Sequence, residues 1–323
     1  MTEVSILAAA SKKPGRIVTN CQLEEQLDLR PGIIERLTGI RQRHYLEEGE
    51  SLQGLAADAG EESIRKSGLN PASIDLMIFY TEVPPTLPEN NRLTKTYYEV
   101  SAHIQYLLKQ RGIDLNCECI NIGGSCVSFI SALQIATGLI KSKIKTNVLI
   151  IGASNNSIFL GNADKNTSMT FGDGAAATIL TASPGKGMIG FYRMTDGSGY
   201  DVGGFKNYTE LFIDRKKVAE FAPLAFQKAV AGLFKKTGLK PGDVDLFIPH
   251  QAGVRIIEKG AALSGIPPGK VYYCLQNEGN TGAPAVQLAL SNAIAEKRIQ
   301  EGNLVVLAAF GIGWNYGAAA LIA

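Results

Sequence analysis

The sequence predicts an α/β protein of layered sheets and helices, made by duplicating one smaller unit. Two observations carry this: short apolar runs alternate with helical patterns, and two distant stretches repeat one order of signals. Asp75–Phe79, Val148–Gly152, Ala176–Leu180, Val244–Ile248 and Leu304–Ala309 read as strands. Most are apolar almost throughout, as strands covered on both faces are. Between them, Ser128–Ile140 and Ala285–Ala295 place apolar residues at helical spacing.

The repeat pairs Ser67-Gly-Leu-Asn-Pro-Ala-Ser-Ile-Asp-Leu-Met-Ile-Phe79 with Thr237-Gly-Leu-Lys-Pro-Gly-Asp-Val-Asp-Leu-Phe-Ile-Pro249. Each ends a helix at Gly, turns at Pro and enters a buried strand. A second echo, helix to polar turn to strand, covers Leu139–Gly152 and Ala293–Ala309. Two such units facing each other place equivalent strand ends and helix starts around one cleft.

Composition narrows the function. The 323 residues suffice for a sizeable core, and 32 Lys+Arg against 30 Asp+Glu leave a net charge of +2. That is not the footprint of a nucleic-acid binder. No apolar run reaches the roughly 18 to 20 residues of a membrane helix, and the start Met1-Thr2-Glu3-Val4 lacks the features of a secretory signal. Five sparsely placed cysteines fit a reduced, cytoplasmic protein. No metal, nicotinamide or phosphate-loop motif is present, so no cofactor is expected.

Cys126 lies in Asn121-Ile-Gly-Gly-Ser-Cys-Val-Ser-Phe-Ile130, between a strand-like stretch and the Ser128–Ile140 helix. A Gly-Gly-Ser turn there puts the sulfur at a helix N-terminus, where dipole and free N–H groups favour the thiolate. Iodoacetamide at neutral pH is then expected to modify Cys126 faster than the other four cysteines. The alternative is a small buried hydrophobe, the reading for Cys21 and Cys274. Cys117 and Cys119 share a strand face without a second ligand pair for zinc. Of three histidines, His250 ends the repeat strand in Phe247-Ile-Pro-His-Gln-Ala-Gly-Val-Arg255, a natural catalytic position at the carboxyl edge of a sheet. His44 reads as a solvated residue of a charged stretch, and His103 as packing.

Asn277-Glu-Gly-Asn-Thr-Gly-Ala-Pro284 precedes the second-half helix. Its glycines permit close backbone approach, and Asn280 can present an amide, although a helix-capping turn explains it equally. Phe310-Gly-Ile-Gly-Trp-Asn-Tyr-Gly317 is a glycine-rich turn after the last long strand. Asp173, between glycines, reads as turn-stabilising rather than as a triad member.

In this order, Leu37-Thr-Gly-Ile-Arg-Gln-Arg-His44, Gly124-Ser-Cys-Val-Ser-Phe129, Phe171-Gly-Asp-Gly-Ala175, Ile248-Pro-His-Gln-Ala252, Gly279-Asn-Thr-Gly282 and Phe310-Gly-Ile-Gly313 resemble the thiolase superfamily, most closely its β-ketoacyl-acyl-carrier-protein synthase III branch. The resemblance implies a five-layer αβαβα homodimer of two thiolase-like halves, residues 1–181 with the nucleophilic Cys and 182–323 with the His and Asn. It implies that Cys126 takes an acyl group from a thioester. His250 and Asn280 then hold a second thioester carbonyl, stabilising the enolate left when a malonyl group loses CO2. The backbone N–H groups of Cys126 and Ile312 form the other oxyanion hole. The substrates implied are coenzyme A or acyl-carrier-protein thioesters, in lipid or secondary-metabolite synthesis. Neither nucleic acid nor membrane is an expected partner.

Departures from the family pattern are expected to matter. Ile33 stands where acyl-coenzyme A users carry an adenine-stacking Trp, and Lys165 where they carry Arg. Arg255 is kept, but Ala262-Leu263 replace a frequent lysine pair, leaving Arg215-Lys216-Lys217 and Lys235-Lys236 as candidates to meet an acidic carrier. The segment Thr81–Gly112, with Pro84-Pro85, Pro88 and Tyr97-Tyr98, is longer than its counterparts and is expected to shape a specialised acyl pocket. Two other readings stand beside condensation: transfer to an oxygen or nitrogen acceptor with His250 as base, and a non-catalytic partner subunit of a synthase dimer.

Overall fold

The computed structural model describes residues 3–83, 100–160, 165–183, 185–206 and 210–323. The tip of the long segment, with Pro84, Pro85, Pro88, Tyr97 and Tyr98, lies outside them. The first half runs β1 (Glu3–Lys12), β2 (Arg16–Thr19), α1 (Asn20–Gln26), α2 (Ile33–Thr38), β3 (Gln42–Tyr45), α3 (Leu52–Ser67), β4 (Leu76–Tyr80), α4 (Val100–Gln110), β5 (Glu118–Ile122), α5 (Ser128–Lys141), β6 (Asn147–Ser154), α6 (Lys165–Ser168) and β7 (Gly174–Ser183). The second runs β8 (Gly187–Thr195), β9 (Gly203–Lys206), β10 (Glu210–Ile213), α7 (Arg215–Thr237), β11 (Leu246–Pro249), α8 (Val254–Leu263), α9 (Leu275–Glu278), α10 (Ala285–Ala295), β12 (Leu304–Gly311) and β13 (Asn315–Ile322).

One sheet has the order β1-β7-β6-β4-β5 and the other β8-β13-β12-β11. In both, the strand after the repeat turn runs parallel to its inner neighbour, and the next two junctions are antiparallel. The repeat is equivalent down to its hydrogen bonds. Gly68 and Gly238 close α3 and α7 in the left-handed conformation, at φ 67° and 77°. Asp75 then receives the N–H groups of Thr146 and Asn147, and Asp245 receives that of Leu304, each aspartate fastening the start of the adjacent strand. Among the described strands of these two sheets, β5 lacks a full counterpart and is matched in the second half by a single parallel bridge between Phe247 and Val271.

Alternation along each strand separates the layers. Leu76, Ile78 and Tyr80 of β4 pack with α5, α10 and the inner face of the second sheet, while Met77 and Phe79 turn outward to α3 and α4. On the far side Phe247, Val306 and Ala318 meet α7 and α8. The result is a five-layer αβαβα stack with α5 and α10 at its centre, so the turns preceding those two helices open at equivalent places. Cys126 lies on one and Asn280 on the other.

Two expectations about single residues fail. His44 is buried on β3, its Nδ1 2.8 Å from the Pro14 carbonyl, because β3 pairs with β2 and packs against α9. Cys21, expected inside, is exposed on the outer side of the short helix α1.

Candidate active site

Cys126 sits in a 3-10 turn, Ser125–Val127, that runs into α5. The approach is tight: Gly124 has φ 150°, and Ser125, although not glycine, has φ 55°. A left-handed serine costs backbone energy and is tolerated where the surroundings fix it. Here the Ser125 carbonyl accepts the Ser128 hydroxyl at 2.7 Å. From the other half, Gly311 presses on the same turn. A Cβ added at Gly311 would fall 2.6 Å from Ser125 Oγ and 2.9 Å from the Cys126 nitrogen. Gly311→Ala is therefore expected to lower the self-acylation rate by about tenfold or more, read by intact mass, because the methyl group crowds an N–H assigned to the oxyanion.

His250 follows β11 directly. Its N–H donates to the Ala308 carbonyl at 2.8 Å and its ring meets the Phe310 edge at 5.4 Å. Burial alone lowers its pKa to about 4, so the ring is neutral at physiological pH, and Nδ1 has no hydrogen-bond partner among the described residues. Gln251, next in sequence, donates to the Pro249 carbonyl and accepts the N–H groups of Cys274 and Leu275. It thus ties the histidine strand to the helix that leads to Asn280.

Asn280 is held on both sides. Its backbone bridges to Phe171, with Asn280 N–H donating to Thr170 and Gly172 N–H donating to Asn280. Its side-chain Oδ1 accepts the Gly282 N–H at 3.0 Å. That bond identifies the oxygen and leaves the Nδ2 group as the one offered to a ligand. Asp173 belongs to the scaffold: it accepts from Leu46 and Ser157, and burial raises its pKa to about 6. It does not line the cleft.

Cys126, His250, Asn280 and Ile312 line a single cleft of about 290 Å³, walled by apolar groups such as Leu37, Phe171, Val218 and Phe310. Gly311 lies between Cys126 and Ile312, and the Asn315 amide fixes the Ile312 carbonyl at 2.9 Å. Arg215 and Arg255 also line it, donating to the Asn166 carbonyl at 3.2 Å and the Arg36 carbonyl at 3.4 Å. The basic runs of α7 do not form one surface. Arg215 and Lys235 are separated by nearly the whole helix, about 30 Å at 1.5 Å per residue, and the Arg215 end alone reaches the cleft. Ile33 and Lys165 open α2 and α6, whose later residues line the cleft. Lys165 faces Asp28 at 3.6 Å.

The thiol departs from expectation. Burial, then the nearby Glu82 charge, push the Cys126 pKa up, against weaker pulls from the Ser125 hydroxyl and its own N–H. The sulfur precedes the helical residues, so desolvation outweighs the dipole. At neutral pH the thiol keeps its proton. Iodoacetamide at pH 7 should therefore label exposed Cys21 before Cys126, and Cys126 labelling should climb with pH without levelling off by about pH 9, as peptide mass mapping would record.

Comparison with known proteins agrees with this architecture. Residues 120–197 match the family described as 3-oxoacyl-[acyl-carrier-protein] synthase III, and residues 234–322 match its C-terminal family. The β-ketoacyl-[acyl-carrier-protein] synthase III of Paramagnetospirillum magneticum is 33% identical, with 97% of each chain covered. The crystal structure of 3-oxoacyl-[acyl-carrier-protein] synthase III from Aquifex aeolicus superposes with a TM-score of 0.90 at 30% identity, covering 99% of this chain and 100% of that one. The priming β-ketosynthase of the R1128 polyketide pathway gives 0.89 at 27%, covering 99% and 96%. With both halves matched and the relatives aligned end to end, this chain belongs to the β-ketoacyl-acyl-carrier-protein synthase III family of condensing enzymes.

Proposed function

We propose that the protein loads an acyl group on Cys126 and condenses it with a malonyl-type thioester, releasing CO2. The observation that carries this is the meeting of Cys126 with His250 and Asn280, from opposite halves, in one apolar cleft. In the first step Cys126 Sγ attacks the acyl thioester carbonyl while neutral His250 takes the thiol proton and passes it to the departing thiol. In the second, the malonyl carboxylate leaves as CO2 and its electron pair forms an enolate. The Asn280 amide and a His250 N–H donate to that enolate oxygen. The enolate carbon attacks the acyl-Cys126 carbonyl, and the resulting oxyanion is held by the Cys126 and Ile312 N–H groups. Collapse gives the β-keto thioester and expels the Cys126 thiolate, which takes one proton from solution.

Arg215 and Arg255 supply positive charge for the phosphate of a pantetheine arm, common to coenzyme A and carrier proteins, and the relatives' names support an acyl-carrier-protein partner. For adenine the support is weaker: Trp314, which lines the cleft, is stacked on Phe221 at 4.2 Å and pressed by Gly199. Thioesters are the substrates in this reading, and no cofactor takes part. A homodimer in the cytoplasm is the working form, with the outer edge of β5, unpaired among the described residues, as the pairing surface. No described helix is long and apolar enough to cross a membrane. Isolated acyl-enzyme given a malonyl thioester should release CO2 and form a ketone; acyl-enzyme that releases none overturns the reading.

A further inference from the structure

Glu82 is a buried carboxyl that the steps above do not use. It lies two residues beyond β4, in the first half, yet it packs on the turn of the second half that carries Asn280. Its Oε1 accepts the Ser154 hydroxyl at 2.8 Å and the Asn156 amide at 3.0 Å. A Cβ built on Gly282 would fall 1.5 Å from Oε1, so the carboxyl fills the space that glycine leaves. Gly282 is also the residue whose N–H fixes Asn280 Oδ1. Oε2 is buried without a partner, and no Lys or Arg pairs with Glu82 among the described residues. An unpaired buried carboxyl is costly to keep, whereas a leucine would fill similar volume without that cost.

We propose that Glu82 is a positioning residue for the decarboxylating step: its carboxyl clamps the 280–283 turn from across the two halves and so aims the Asn280 amide into the cleft. This rests on the condensing reading above. Shortening or removing the side chain strips an acceptor from Ser154 and Asn156 and opens the space against Gly282, so the Asn280 turn loses its backing. Cys126 acylation, which uses the other oxyanion hole, does not depend on that turn. Glu82 also bears on the sulfur. Burial raises its own pKa, and where it ionises its charge acts on the Tyr80 hydroxyl and opposes the Cys126 thiolate. Glu82→Gln keeps the acceptor oxygen and removes the charge.

The test measures, on the full-length protein, self-acylation by intact mass and CO2 release from a malonyl thioester by the acylated protein. Glu82→Ala and Glu82→Asp are expected to lower CO2 release by about ten- to a hundredfold while acylation changes less than about threefold. Glu82→Gln, which keeps the acceptor oxygen, should restore CO2 release. If Glu82→Ala does not fold, Glu82→Asp decides. Equal losses in both reactions or unchanged CO2 release in Glu82→Asp overturns the proposal. Wild-type protein that acylates but never condenses overturns this proposal and the function together, whereas a condensing wild type with an unaffected Glu82→Asp removes Glu82 alone.

Discussion

Cys126→Ala yields a protein that acquires no acyl mass from any thioester and whose condensation falls by a factor on the order of 10⁶. The size follows from what the sulfur does. Without it the acyl group has no covalent station, and the enolate must meet a free thioester in an apolar cleft with nothing to hold it in line. The cleft walls, His250 and Asn280 remain, so the variant should still bind substrate and melt near the wild-type temperature. Intact-mass spectrometry after exposure to a panel of acyl thioesters reads the first outcome, and ketone formation reads the second. An acylated Cys126→Ala protein would transfer the nucleophile's role to another residue.

Asn280→Ala separates the two half-reactions. Acylation of Cys126 proceeds at nearly the wild-type rate, while CO2 release from the malonyl thioester falls by about a hundred- to a thousandfold, the cost of about 2.7–4 kcal/mol for losing one oxyanion donor. The asymmetry comes from geometry: Oδ1 is already committed to Gly282, so the amide N–H is what the enolate loses. Fitting alanine there leaves the Gly282 N–H unpaired as well, which adds to the loss. Single-turnover measurement of CO2 from preformed acyl-enzyme is the direct readout, and an unchanged rate removes Asn280 from the enolate site.

Much of the site was legible because its residues stand in recognisable local contexts: a Gly-Gly-Ser turn before a helix, a histidine ending a buried strand, an asparagine between glycines. The repeat was legible for the same reason, since a capping glycine, a Pro turn and a following aspartate do the same backbone work at Gly68 and Gly238, and at Asp75 and Asp245. What escaped was whatever depends on distant neighbours. Strands β1 and β13 carry alanine triplets, Ala8–Ala10 and Ala318–Ala320, which have poor strand propensity. They are strands because small side chains let the central helices and sheets approach closely. The roles of Gln251 and Glu82 gave no signal, since each gains meaning from the atoms it reaches in another segment.

The sequence by itself determined the layered class, the duplication and the order of Cys126, His250 and Asn280, because these are written in local patterns of apolarity, turn chemistry and residue type. Only the tertiary structure decided that the three meet in one cleft, that His44 is buried while Cys21 is exposed, and that the resting thiol keeps its proton. Each of those depends on how much water the fold removes and which charge it leaves nearby, and desolvation is a property of the packed assembly rather than of any stretch of chain.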